Sequence, residues 1–210
     1  MVDKEKYLQA LMDGARDVLA GYVKRDLDAG VSAGEILAQG LIPGMDVIGE
    51  KMENGDMFIP EVLMAAQVMA TGVEILKPLL GEGGAGVRGR VVIGTVKGDL
   101  HDIGKNLVAM MLESSGLEVH NLGVDIAPEE FVRQAQARHA DLICLSALLT
   151  TTMPMMKATI EAVKTAGLRD KVKILVGGAP VTQAYADEIG ADGFSTDAGS
   201  AVKLAKGMLS

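Results

Sequence analysis

The stretch Lys97-Gly98-Asp99-Leu100-His101-Asp102-Ile103-Gly104-Lys105-Asn106 sets a carboxylate two residues before an imidazole, between glycines. If Asp99 accepts one ring N–H of His101, it fixes the tautomer and makes the other ring nitrogen a better ligand for a metal. The spacing is neither the GxxxxGK[ST] of a phosphate-binding loop nor the GxGxxG of a dinucleotide site. Taken alone, a D-x-H triplet recurs by chance and more often marks a loop residue or a helix cap. His120 and His139 have no such company and read as structural or solvated. Cys144 is the only cysteine, which leaves no internal disulfide and no cysteine-based zinc site.

The elements around this loop place it at a strand end. Apolar runs such as VVIGTV and DLICLS predict strands over Arg90–Val96, Leu117–Asn121, Asp141–Leu145, Lys173–Val176 and Gly193–Phe194. Helices are expected between them over Ile103–Ser115, Pro128–Arg138, Pro154–Ala166, Val181–Glu188 and Ala198–Met208. Nearly continuous apolar strands suit a parallel sheet buried on both faces, and right-handed crossovers then give a five-stranded, flavodoxin-like (Rossmann-like) α/β domain. Ligands of such sheets bind at the carboxyl ends of the strands. The loops after Val96, Leu145, Val176 and Phe194 are therefore where chemistry is expected.

The first half has helical periodicity and predicts a four-helix bundle. Tyr7, Leu8, Leu11 and Met12 share one face; Val18, Leu19, Tyr22, Val23 and Leu27 continue the pattern until Gly30. Ser32 with Glu35 reads as a capping box opening a third helix, bent at Pro43 and stopped by Asn54-Gly55. The fourth starts near Pro60 and carries Val62, Leu63, Ala66, Met69, Val73 and Leu76, with Met64 and Met69 read as core filling. The chain thus divides into a bundle at 1–80, a Gly-rich linker at 81–89 and a sheet domain at 90–210.

Composition removes several classes of partner. A net charge of −8 and only 3% aromatic residues argue against nucleic acid, which needs phosphate neutralisation and stacking surfaces. The charged opening MVDKEKYLQ has no apolar signal region, and no apolar run reaches membrane-spanning length, so a cytoplasmic protein with no membrane partner is expected.

Gly98, Asp99, His101 and Gly104 form G-D-x-H-x-x-G, and in this context the chain resembles cobalamin-binding proteins of the methionine synthase type. Ser146-Ala147-Leu148-Leu149-Thr150 and Gly177-Gly178 follow in the family's order, and Asn54 to Glu61 match the opening of the bundle's last helix. The resemblance covers nearly the whole chain and is to the small corrinoid proteins of methyltransferase systems. It implies cobalamin bound with its dimethylbenzimidazole arm off cobalt and His101 as the lower metal ligand. Asp99 would hydrogen-bond His101, and Thr152 would extend that chain. The bland reading of Thr151 and Thr152 is capping of the helix before Pro154.

By the same resemblance, the cofactor contacts are Gly98, Asp99, Leu100, His101, Asp102, Ile103 and Gly104, then Ser146, Leu148, Thr150, Gly177, Gly178, Asp197 and Ala198. Gly177 and Gly178 would leave room for the nucleotide arm, and Asp197 could equally be a plain N-cap. Met52 and Ile59 would cap the upper face of the corrin. The implied function is a corrinoid methyl carrier in one-carbon metabolism, using methylcobalamin and the Co(I) corrinoid, and not itself a complete enzyme. Its implied partners are a substrate-specific methyltransferase, a second methyltransferase delivering to tetrahydrofolate or a thiol, and a reductive activase. The alternatives are a cobalamin-dependent sensor or regulator, for which no room is expected ahead of the bundle for a helix-turn-helix, and the small subunit of an adenosylcobalamin mutase.

Overall fold

The computed structural model describes residues 2–79 and 89–209. The Gly-rich linker expected at 81–89 lies outside them, save Gly89. The chain forms two compact units, one helical and one built on a sheet.

The helical unit contains α1 (Lys4–Met12), α2 (Arg16–Asp28), α3 (Ala33–Ile36), α4 (Ile42–Glu53) and α5 (Ile59–Leu76). The expected punctuation is in place. Gly30 follows α2 with φ 82°, and Gly55 follows α4 with φ 80°, the left-handed region that glycine enters without a Cβ penalty. Ser32 accepts the Glu35 N–H at 3.3 Å while Glu35 accepts the Ser32 N–H at 3.1 Å, a closed capping box.

Three details differ from the periodic pattern. The expected third helix is divided upstream of Pro43 into α3 and α4, joined by a wide turn over Leu37–Leu41 closed by the Ile42 N–H on the Leu37 carbonyl. Proline has no N–H and its ring would strike the carbonyl four residues back. The wide turn lets α4 restart with Pro43 in its first turn, where no N–H is needed. Second, Val18 and Met64 are exposed, whereas Asp26 is buried. Asp26 accepts the Tyr7 hydroxyl at 3.1 Å and the Arg25 guanidinium at 2.8 Å, so a polar residue sits on the buried face with both oxygens paired. Third, α5 is 18 residues long with mean hydropathy 1.4, enough by length and composition for a membrane span, contrary to expectation. Its face of Val62, Ala65, Ala66, Met69 and Leu76 is buried, as in a core helix.

The sheet unit contains β1 (Arg90–Thr95), α6 (Ile103–Ser114), β2 (Glu118–Asn121), α7 (Pro128–Arg138), β3 (Leu142–Ser146), α8 (Pro154–Thr165), β4 (Lys173–Gly177), α9 (Gln183–Ile189), β5 (Gly193–Ser195) and α10 (Ala198–Met208). All pairings are parallel, in the order β2-β1-β3-β4-β5. That is the flavodoxin-like order, with its switch point between β1 and β3. α9 starts later than expected because Thr182 caps it, accepting the Tyr185 N–H at 3.2 Å.

Burial on both faces of β1 and β3 fixes where their ends lie. Phe131 of α7 is fully buried against β1. A Cβ added at Gly94 would come within 2.8 Å of its ring tip and 3.3 Å of Ile126. Gly94 therefore sets how closely α7 and the segment before it approach β1. We expect Gly94→Ala to destabilise the protein by about 1–3 kcal/mol, the usual cost of overpacking a core. Adding Phe131→Leu should recover part of the loss, as read by urea unfolding; additive losses would show that the two sites do not share this contact.

Candidate functional site

The chain leaves β1 through a turn at Gly98, whose φ of 82° suits glycine. The next residue, Asp99, is wholly buried, and its carboxylate is the junction of two loops. One oxygen accepts the His101 backbone N–H at 3.1 Å and lies 2.7 Å from His101 Nδ1. The other accepts the Leu148 N–H at 2.7 Å, the Thr152 hydroxyl at 2.7 Å and, more distantly, the Leu149 N–H at 3.3 Å. A carboxylate offers about four lone-pair sites, so its capacity is filled by protein donors. The far side of the His loop is pinned by the Thr95 hydroxyl, which donates to the His101 carbonyl at 2.8 Å.

Burial alone would push the pKa of Asp99 up. The Leu148 N–H outweighs it together with the Thr152 hydroxyl and the His101 ring and N–H, holding the carboxyl well below the usual range. An ionised carboxylate is acceptor-only, so Nδ1 carries the proton facing it. The Thr152 hydroxyl lies between two acceptors, Asp99 at 2.7 Å and the Leu149 carbonyl at 2.9 Å. With one hydrogen it donates to the carboxylate. The same positions would serve a protonated Asp99 donating to the hydroxyl, which would then donate to Leu149. The expected capping of α8 by Thr151 or Thr152 does not occur: no side chain caps that helix, because the Thr152 hydroxyl is committed to Asp99.

The imidazole is presented outward, its side chain 51% exposed while Asp99 is 0% exposed. Among the described residues nothing bonds Nε2, which leaves it as a free donor atom. Around it the rim is apolar: Leu100 is 72% exposed, Ile103 86%, Leu148 41% and Leu149 42%. Among the described residues no group of three His, Cys, Asp or Glu side chains could hold a metal ion. One imidazole cannot retain a bare ion, so a metal here must bring most of its own ligands. A macrocycle with an apolar face does so, and the rim suits such a face.

Gly104 has open space where a Cβ would stand. Ser146 ends β3 and Thr150 is exposed in the loop behind it. Gly177 and Gly178 have a reason of their own, apart from room for a ligand. A Cβ at Gly178, where φ is 129°, would fall 1.9 Å from the Ala147 carbonyl oxygen, and one at Gly177 would press on Ser195. The two loops are thus drawn together by the protein itself, with the Ala147 N–H on the Gly177 carbonyl at 3.2 Å. Asp197 caps α10, accepting the Ser200 N–H at 2.8 Å, and Ala198 is buried. Met52 and Ile59 belong to the helical unit, the first half-buried and the second exposed.

Further ties hold the loop and its neighbours in place. Asp102 is bound by Asn106 at 2.9 Å, and Lys105 is buried, its ammonium donating to Asn106 and, at 2.7 Å, to Asn121. This ties the first turn of α6 to the end of β2. Burial lowers the Lys105 pKa, against the opposing pull of Asp102. Asp125, in the loop before α7, accepts the Gly98 N–H at 2.7 Å. Its place two residues after Gly123 is the one signal that could have found it.

A B12 binding domain family model matches residues 89–203, and a second B12 binding domain model matches residues 4–77. The dimethylamine corrinoid protein of Methanosarcina barkeri is 45% identical over 213 residues, covering 99% of this chain and 100% of that one. A cobalamin-binding protein of Desulfitobacterium hafniense DCB-2 superposes with a TM-score of 0.83 at 32% identity, over 99% of each chain. The methanol:cobalamin methyltransferase complex of Methanosarcina barkeri matches with a TM-score of 0.87 at 29% identity, over 97% of this chain and 78% of that one.

Asp99→Asn tests the carboxylate junction. An amide offers one acceptor oxygen and turns an NH2 towards groups that are themselves donors, so this near-isosteric change should cost about 2–3 kcal/mol. Because the folded carboxyl is depressed, its contribution is fully present above the unfolded value near 3.9 and is lost as pH falls towards the folded one. The stability gap between wild type and variant should therefore be flat from about pH 7 to pH 5 and narrow only below about pH 4. A gap that closes nearer neutrality would contradict the depressed carboxyl.

Proposed function

The chain belongs to the B12-binding corrinoid proteins, and on that premise we propose that it carries methyl groups between methyltransferases, with His101 holding cobalt through Nε2. The supporting observation is the imidazole itself: one nitrogen fixed by a buried, saturated carboxylate, the other free at the carboxyl end of a parallel sheet, within an apolar rim. When bound, cobalamin supplies the metal that accepts and releases the methyl group.

The residues divide the remaining work. Asp99 sets the tautomer and rotation of His101 and makes its other nitrogen a more basic ligand. Thr152 holds a hydrogen on Asp99 and offers a route by which a proton can be stored at this pair. Leu100, Ile103, Leu148 and Leu149 would lie against apolar parts of the macrocycle and exclude water from Nε2. Ser146, Thr150, Gly177, Gly178, Asp197 and Ala198 stand at the ends of β3, β4 and β5, where the nucleotide arm would run.

The similarity to dimethylamine corrinoid proteins makes a methylated amine the favoured methyl donor, activated on a separate methyltransferase. Similarity to a methanol:cobalamin methyltransferase complex supports direct docking on such an enzyme. Delivery would go through a second methyltransferase to tetrahydrofolate or a thiol, with a reductive activase restoring the cofactor.

Reconstitution with cobalamin, followed by electron paramagnetic resonance of the Co(II) state, tests the ligand. Histidine labelled with 15N should change the nitrogen splitting on cobalt, and His101→Ala should abolish that splitting and weaken binding at least tenfold, the lower end of the losses seen when even an outer partner of a metal ligand is removed (about 10–100-fold). Unchanged splitting and affinity in the variant would sink the assignment.

A further inference from the structure

Among the described residues only two non-glycines have positive φ, His139 at 50° and Asp125 at 56°. His139 has a local reason, because it closes α7 as its C-cap. Asp125 closes no helix. It lies between β2 and α7, where Gly123 and Ile126 run alongside the end of β1: the Thr95 N–H donates to the Gly123 carbonyl and the Ile126 N–H to the Thr95 carbonyl, both at 3.0 Å.

From this position Asp125 reaches the three residues that lead into the His loop. Its carboxylate accepts the Gly98 N–H at 2.7 Å and pairs with the Lys97 ammonium at 3.2 Å. Its own N–H donates to the Asp99 carbonyl at 3.0 Å. Asp99 is therefore gripped twice, by its backbone from the β2–α7 loop and by its side chain from the loop after β3. Glycine would adopt φ 56° at less conformational cost, but it has no carboxylate; aspartate is one of the few L-residues that tolerates this region. The Lys97 pair is half-exposed on both sides and screened by salt, so the Gly98 and Asp99 bonds carry the effect.

We infer that Asp125 is a positioning residue for His101: it fixes the start of the loop, and with it the orientation in which Asp99 presents the imidazole. The inference rests on the reading of His101 as the cobalt ligand, but its first readout does not need cobalamin. Nitrogen-15 shifts of the His101 ring in the protein as purified report the tautomer and the Nδ1–H bond to Asp99. Asp125→Asn can keep both the backbone conformation and an acceptor for Gly98, and should retain the wild-type ring signals. Asp125→Gly keeps the conformation without the acceptor, and Asp125→Ala loses both.

In the latter two the ring signals should move towards those of an averaged tautomer mixture, and cobalamin affinity should fall about tenfold or more, as for other outer partners of metal ligands. Asp125→Gly relieves the positive φ, so it remains informative if Asp125→Ala does not fold. Folded Asp125→Gly with wild-type ring signals would overturn the inference. Ring signals that shift in a protein whose wild type shows no histidine on cobalt would keep the positioning role and remove the cofactor reading instead.

Discussion

A single buried carboxylate holds the site together. Asp99 collects donors from its own loop, from the loop after β3 and from the Thr152 hydroxyl, with four of them at 3.1 Å or less. A buried, ionised carboxylate is costly unless hydrogen bonds repay its desolvation, and bonds to a charged group are stronger than those between neutral groups. Saturation has a further consequence. Asp99 has no acceptor capacity left with which to bind a metal, so the only coordinating atom it leaves exposed is Nε2 of the imidazole it orients.

The rest of the sheet end serves that carboxylate. The parallel order brings the ends of β1 and β3 side by side, so two loops far apart in sequence meet at Asp99. Gly178 lets the loop after β4 close onto the Ala147 backbone, which immediately precedes Leu148 and its N–H to Asp99. On the other flank, the buried Lys105 and its asparagines fasten the start of α6 to the end of β2. Each tie is local, yet all act on the frame that carries the Asp99–His101 pair.

Much of this was legible in the sequence, for definable reasons. Apolar strands buried on both faces announce themselves, and the Asp99–His101 spacing signals a carboxylate-backed imidazole because both residues lie in one short loop. Capping residues such as Ser32 and Asp197 act on neighbours three positions away, so their pattern is readable too. What escaped depends on contacts made across the fold. Asp125 meets Gly98 only because β2 lies beside β1. Asp26 looks solvent-facing until Tyr7 and Arg25 arrive to pair it, and Thr152 was reached only through the family resemblance, since its spacing alone offers no more than a cap. The wide turn at Leu37–Leu41 answers Pro43 by an adjustment upstream, where periodicity gives no sign.

Magnitudes indicate how such a site would divide affinity from chemistry. The exposed fractions of Leu100, Ile103, Leu148 and Leu149 amount together to about two and a half apolar side chains. Covering them would contribute on the order of 4–7 kcal/mol at about 1.5–3 kcal/mol per buried side chain. That is comparable with the whole free energy of a micromolar complex, about 8 kcal/mol, before the cost of immobilising the partner is subtracted. The apolar rim can therefore supply much of the holding of a macrocycle. The imidazole is then free to act chiefly on the metal, as a nitrogen whose basicity and proton are governed by Asp99. On this division, loss of His101 should alter the electronic signature of cobalt more completely than it alters retention of the cofactor, whereas polar substitution of Leu100 and Ile103 together should do the reverse.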